Sequence, residues 1–166
     1  MTGVQTCALP ILFRFEPVLE RGDRPFGGDS RTGAPGRFEE GRVKTYIRGK
    51  NPQVPQSVLD MIPLYLSEGQ AEGVRGDIAF AQSCLETGNF TFSGSAVTLD
   101  QNNFCGMGVT SNGLKGNSFD TPQLGIRAQI QHLKAYASTD ALQNDCVDPR
   151  FKYVIKIGRA SCRERV

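Results

Sequence analysis

Between residues 56 and 137, apolar side chains recur at helical spacing in three separate stretches, and this period constrains the chain more tightly than any other feature. In the first stretch, Gln56 to Glu68, Val58, Leu59, Ile62, Tyr65 and Leu66 fall on one face, with Pro63 as an internal kink and Gly69 as a C-cap. In the second, Asp77 caps a helix whose stripe is Ile78, Ala81 and Leu85 and which stops at Thr87-Gly88. The third opens on Thr121-Pro122, an N-cap followed by proline at the first helical position, and carries Ile126, Ile130, Leu133 and Ala137. His132 lies off the centre of that stripe. A shorter stripe of Val43, Tyr46 and Ile47 precedes a break at Asn51-Pro52. From Phe90 to Phe119 the pattern changes: Phe90, Phe92, Phe104, Met107 and Val109 are interleaved with polar residues and glycine, and Ser111-Asn112-Gly113 is a hairpin-type turn. The expected class is therefore α+β, mainly helical, with a small β-hairpin lobe.

The ends of the chain have a different character. Residues 2–11 (Thr-Gly-Val-Gln-Thr-Cys-Ala-Leu-Pro-Ile) and 157–166 (Ile-Gly-Arg-Ala-Ser-Cys-Arg-Glu-Arg-Val) resemble in-frame translations of short-read sequencing adapters. Segments 1–11 and 157–166 are accordingly set aside from fold reasoning. Residues 12–40 hold Gly22, Gly27, Gly28, Gly33 and Gly36 with Pro17, Pro25 and Pro35, a composition that buries too little apolar surface to offset chain entropy. They read as a disordered leader or out-of-frame sequence. Ordered structure is expected to begin near Phe38, leaving 41–156 as one catalytic-sized domain cut short at its C-terminal side, within the common range of roughly 100 to 150 residues.

Setting the ends aside changes what charge and cysteine imply. The last ten residues hold three arginines against one glutamate, and the first eleven hold no charge, so the formal +2 of the whole chain falls to zero. That balance argues against a nucleic-acid partner. Cys84, Cys105 and Cys146 remain, without a C-x-x-C pair and with His132 as the one histidine, so neither a metal site nor a paired disulfide framework is indicated. No apolar run approaches the ~20 residues that a membrane-spanning helix needs, so no membrane insertion is expected.

Chemistry concentrates at the end of the second helix. A carboxylate in a last helical turn faces the negative end of the macrodipole, which disfavours its ionised form. If Leu85 and Phe90 also exclude water from Glu86, desolvation acts in the same direction, and a raised carboxyl pKa is what a general acid near neutral pH requires. The surrounding residues carry a resemblance. Ala81-Gln82-Ser83-Cys84-Leu85-Glu86-Thr87-Gly88 resembles the catalytic helix end of glycoside hydrolase family 73, and Asn102-Asn103-Phe104-Cys105-Gly106-Met107-Gly108 resembles a later segment of the same family. The likeness continues through Gly116 to Phe119, through Gly125 to Tyr136 and through Asp148 to Phe151, so it covers roughly Val43 to Lys156. Sequences with this wording are described as mannosyl-glycoprotein endo-β-N-acetylglucosaminidase-like.

The resemblance implies a lysozyme-like fold with a groove between the helical lobe and the hairpin lobe. It implies an endo-acting β-N-acetylglucosaminidase, an autolysin-type enzyme that cuts β-1,4 bonds of bacterial peptidoglycan, secreted to the cell wall and monomeric, without metal or cofactor. Glu86 matches the general acid. Gln82, Asn102, Asn103 and Phe104 are the candidate substrate-binding residues, with a turn amide network and a core ring as the alternative for Asn102 to Phe104. The second catalytic group is open, because inverting enzymes place a base about 6.5 to 9.5 Å from the acid, retaining ones about 5 to 5.5 Å, and substrate-assisted ones use the sugar's acetamido group. Asp120 and Asp100 flank the hairpin segment, and Asp120 is preferred since the hairpin could return it across the groove; otherwise it is a helix N-terminal charge. Two other readings stay in view. A lytic transglycosylase or muramidase of the same shape would share the single acid, and a wall-binding module would keep the groove without turnover.

Overall fold

The computed structural model describes residues 38–110 and 115–154. Within them run five α-helices: α1 (Glu40–Lys50), α2 (Gln56–Asp60), α3 (Ile62–Glu72), α4 (Gly76–Glu86) and α5 (Pro122–Ala137), with a 3₁₀ turn at Leu99–Gln101. The chain turns helical again at 151–154. The domain is mainly helical, consistent with a lysozyme-like helical domain. The adapter-like ends, residues 12–37 of the leader and the Ser111-Asn112-Gly113 turn lie outside the described residues.

Each helix follows from local chemistry, with some departures from the sequence reading. Pro63 does not kink one long helix; it occupies the first turn of α3, where its missing N–H is not needed, and the chain breaks at Met61 between α2 and α3. The C-cap of α3 is Gly73, in the left-handed region at φ 70°, and not Gly69. Gly69 is inside the helix and buried. At the N-terminus of α5 the Thr121 hydroxyl accepts from the Leu124 N–H, as its position before Pro122 predicts. Asp77 does not cap α4 but lies in its first turn, ion-paired with Arg75.

The burial phase of α4 is also different from the expected one. Gly76, Ala79, Phe80 and Ser83 face inward, whereas Leu85 is 69% exposed. The cause is close approach. A Cβ on Gly76 would lie 2.0 Å from the Tyr65 carbonyl, so α3 and α4 touch backbone to backbone, and that contact sets which face of α4 turns inward. Tyr65, Phe80, Phe90 and Phe104 then form a chain of rings through the core, with centroids 5.3, 5.8 and 6.2 Å apart. Phe38 packs edge-on against Phe80 from the other side, and Ile47, Val58, Leu59, Ile62, Ile126 and Ile130 complete the cluster.

No strand forms among the described residues of 90–119, where a hairpin lobe was expected. The backbone explains the difference: Asn89, Phe90, Phe92 and Asn102, with Gly94, Gly106 and Gly108, all have positive φ. So dense a series of left-handed residues cannot hold the extended geometry of a ladder. Its described part up to Gly108 runs through a series of tight turns, in which the Asn102 and Asn103 amides bond backbone carbonyls.

α5 packs against α3 and α4 through polar as well as apolar groups. Glu68 of α3 takes Arg127 at 2.8 Å and Gln123 at 2.7 Å. Glu72, one turn later, accepts from Lys134 Nζ at 3.0 Å, from the N–H groups of Gln143 and Asn144 at 3.0 Å each, and from the Asn144 amide at 3.2 Å. Burial alone would raise the Glu72 pKa, but those donors together outweigh it and hold the carboxyl down at about 2. A carboxyl held below its unfolded value contributes stability above the ordinary glutamate range, and that contribution is lost as pH falls through the folded value. Unfolding free energy, measured by urea titration between pH 5 and about 2, should therefore decline more steeply in the wild-type chain than in Glu72→Gln. Lys134→Met, which leaves the carboxylate buried without its cation, should cost about 3 to 5 kcal/mol at pH 7.

Candidate active site at the end of α4

Glu86 is the last residue of α4, and the chain beyond it turns sharply. The Thr87 hydroxyl donates to the Ser83 carbonyl at 2.6 Å and accepts from the Phe90 N–H at 2.8 Å. The Asn89 N–H reaches back to the Cys84 carbonyl and the Phe92 N–H to the Thr87 carbonyl. These bonds bring Phe90 into the core at φ 61°, an unfavourable conformation for an aromatic residue. The same turn leaves the Asn89 Oδ1 buried with no partner among the described residues.

The Glu86 carboxylate projects from this turn at the surface, with no hydrogen bond or ion pair to any described residue. Desolvation by the protein around it still raises its pKa above the ordinary glutamate value. Of the two residues the sequence reading names as shields, Leu85 is itself largely exposed and Phe90 is buried. One turn earlier on the same face, Gln82 is half-buried, and its Oε1 accepts from Gln129 Nε2 of α5 at 2.9 Å.

The 102–104 segment meets this end of α4 through the contact between Phe104 and Phe90. Phe104 is only 1% exposed and is a core ring. Asn103, also 1% exposed, spends its amide on the turn: its Nδ2 donates to the carbonyls of Met107 and Asn117, and its Oδ1 accepts from the Met107 N–H. Asn102 is half-buried at φ 51° and donates to the Phe119 carbonyl at 2.8 Å. The structure thus gives Asn103 and Phe104 the turn-network and core-ring positions. Gly125 lets this loop dock on α5, because a Cβ there would sit 1.8 Å from the Asn102 carbonyl. Asp120 is exposed, directly ahead of the Thr121 cap, and no described bond joins it to Glu86. Asp100 is fully exposed beside Thr98.

Among the described residues no group of histidine, cysteine, aspartate and glutamate could hold a metal ion, and no helix is long and apolar enough to cross a membrane. No disulfide joins any two of Cys84, Cys105 and Cys146, and burial pushes the Cys84 thiol up to about 12. Gln129, Ser83 and the pair of His132 with Asp148, at 2.8 Å, were not singled out in the sequence. In the sequence they stand only as members of the stretches that carry the family resemblance.

The sequence profile of the family described as mannosyl-glycoprotein endo-beta-N-acetylglucosaminidase matches residues 62–160, which holds α3, α4, the turn segment and α5. The chain belongs to this glucosaminidase family. The match begins at the first residue of α3 and runs a few residues into the adapter-like tail. An uncharacterized protein of Borreliella burgdorferi is 46% identical over 111 residues, covering 66% of this chain and 53% of that protein, so the chain spans about half the length of its relative. No solved structure matches the chain.

In this glucosaminidase domain Thr87 ties the end of α4 to the core. Thr87→Val keeps the shape but strands the buried Phe90 N–H, and should cost about 1 to 3 kcal/mol in urea denaturation. Thr87→Ser should recover most of that loss; equal destabilisation by both variants would show that the hydroxyl bonds are not what holds the turn.

Proposed function

We propose that this glucosaminidase domain hydrolyses the β-1,4 bond on the reducing side of N-acetylglucosamine in bacterial peptidoglycan, with Glu86 as general acid. The observation that carries the proposal is the unpartnered Glu86 carboxyl, raised in pKa by desolvation at an exposed helix end. A carboxyl held by a cation would be ionised and could not donate; this one keeps its proton to higher pH. It would pass that proton to the glycosidic oxygen as oxocarbenium character develops on the sugar. The glycan would lie in a groove between the helices and the turn segment, crossing the C-terminal end of α4.

Asp120 is proposed as the second carboxylate, reaching the far side of the sugar from the start of α5. Asn102 is proposed to contact the glycan directly, while Asn103 and Phe104 shape the floor from beneath. The domain acts as a monomer at the cell wall, outside the cell, and needs neither metal nor cofactor. Family membership supports glycan hydrolysis in general; the choice of peptidoglycan follows from the likeness of the Glu86 and Asn102 segments to family 73.

Glu86→Gln keeps side-chain volume and removes the titrating proton, so release of new reducing ends from purified cell walls should fall by the ~10² to 10⁴ typical of a lost acid catalyst. Because the folded pKa is raised, the wild-type rate should fall as pH climbs through it, and the variant should lack that limb. Retention of more than about a tenth of the wild-type rate would rule Glu86 out as the acid. Asp120→Asn, assayed in parallel, should lose a comparable factor if Asp120 is the base; a loss below about tenfold leaves it a helix-end charge.

A further inference from the structure

Beneath Glu86 runs a buried chain of hydrogen bonds whose direction is fixed. The Ala79 carbonyl can only accept, and Gln129 Nε2 lies 3.0 Å from it. The Gln129 amide therefore has one allowed orientation, Nε2 towards Ala79 and Oε1 towards Ser83. Ser83 Oγ donates to that Oε1 at 2.9 Å and itself accepts from the Tyr65 hydroxyl at 2.9 Å. The second N–H of Gln129 points at Gln82 at 2.9 Å, so Gln82 must present its Oε1 inward. Tyr65, Ser83 and Gln129 are all essentially without solvent exposure, so water cannot relax this order. The Gln82 Nε2 is left facing outward, and no described residue accepts from it. It lies one helical turn before Glu86 on the same face of α4.

We infer that Gln82 is a specificity-determining residue whose locked outward N–H₂ donates to the acetamido carbonyl of the hexosamine bound beside Glu86, with Gln129 as its positioning residue. This rests on the reading of Glu86 as the acid of a glycan-cleaving site. An amide free to turn over could present either a donor or an acceptor, but here only donors are on offer. A carbonyl oxygen is an obligate acceptor and matches them. A de-N-acetylated sugar carries an ammonium group when protonated, which has donors alone, and would set donor against donor. The site therefore selects N-acetylated over de-N-acetylated hexosamine by hydrogen-bond polarity.

The variant that inverts this polarity is Gln82→Glu. Its carboxylate keeps the bond from Gln129 Nε2 and replaces the outward donors with an acceptor. The test uses the full chain and three probes: cell-wall glycan strands, the same strands after chemical de-N-acetylation, and those strands re-acetylated. Binding is measured in the Glu86→Gln background, where the glycan is not consumed, and turnover with Glu86 intact. The chain with Gln82 should bind the acetylated and re-acetylated strands roughly tenfold or more tightly than the de-N-acetylated ones. Gln82→Glu should abolish or reverse that ratio, and Gln82→Ala should flatten it without reversal.

An unchanged ratio in Gln82→Glu, with the melting midpoint preserved, would overturn the assignment and leave Glu86 untouched. Absence of any ratio in the parent chain would overturn it as well. Cleavage that fails with Glu86 intact while the Gln82-dependent ratio persists would overturn the role of Glu86 and support that of Gln82. Gln129→Met removes the lock without touching the outer face. It should raise KM for acetylated strands and narrow the ratio while kcat changes little; an unaltered ratio in a folded Gln129→Met would overturn the positioning role.

Discussion

A helix that buries Gln129, Gln131 and Lys134 can stand only where each of those groups finds a partner, and this requirement on α5 organises the domain. Gln129 satisfies it against α4, Lys134 against Glu72 of α3 and the Ala141 carbonyl, and Gln131 against Asp145, Val147 and Asp148 of the segment that follows. The partners come from α3, from α4 and from the segment after α5. Apolar contact alone would let these pieces slide against α5; directional bonds to buried amides and a buried ammonium fix their register. Among the described residues the segment after α5 has no long regular element, and these bonds hold it together with the packing of Val147, with Asp148 also paired to His132 and receiving the Arg150 N–H.

That organisation explains what could be read in the sequence. α5 carries a clear stripe and Thr121-Pro122 marks its start to the residue, whereas of the α1 stripe only Ile47 is buried and Tyr46 is exposed. For α4 the stripe Ile78, Ala81 and Leu85 was plausible but out of phase, because the true inward face includes Gly76, Ser83 and Thr87, residues that apolar periodicity scores as neutral or polar. Buried Gln129 and Gln131 were invisible for the same reason. The hairpin expectation for 90–119 rests on apolar residues interleaved with polar ones and on the Ser111-Asn112-Gly113 turn, which lies outside the described residues. Alternation does not report φ, and left-handed residues such as Phe90 and Phe92, neither of them a residue type favoured there, leave no mark in the sequence.

The candidate site divides along the same line. Glu86 was legible because a carboxylate at a helix end has its own electrostatics and because its neighbours resemble a known family segment. Asn103 and Phe104 belong to an equally recognisable segment, yet both are spent inside the protein. Residues that shape a site and residues that touch its ligand therefore look alike in sequence; only burial and the destination of each amide separate them. Gln82 and Gln129 illustrate this most directly, since two identical side chains on neighbouring helices differ in burial and in which way their amides face.

The bonds to Glu72 also set an order of assembly. α3 and α4 are neighbours in sequence and can pack as soon as both have been made, but Glu72 waits for Gln143 and Asn144, some seventy residues further along. Until that segment arrives the Glu72 carboxylate has at most Lys134 as its partner and lacks the Gln143 and Asn144 donors, so part of it stays in water where the finished domain has a closed edge. Closing so long a loop is entropically unfavourable, so it should come late, after the local helix contacts are in place. During synthesis, a nascent chain ending before residue 141 holds the Glu72–Lys134 pair without the Gln143 and Asn144 donors that enclose it, so that end of its α3–α5 seam stays open to solvent.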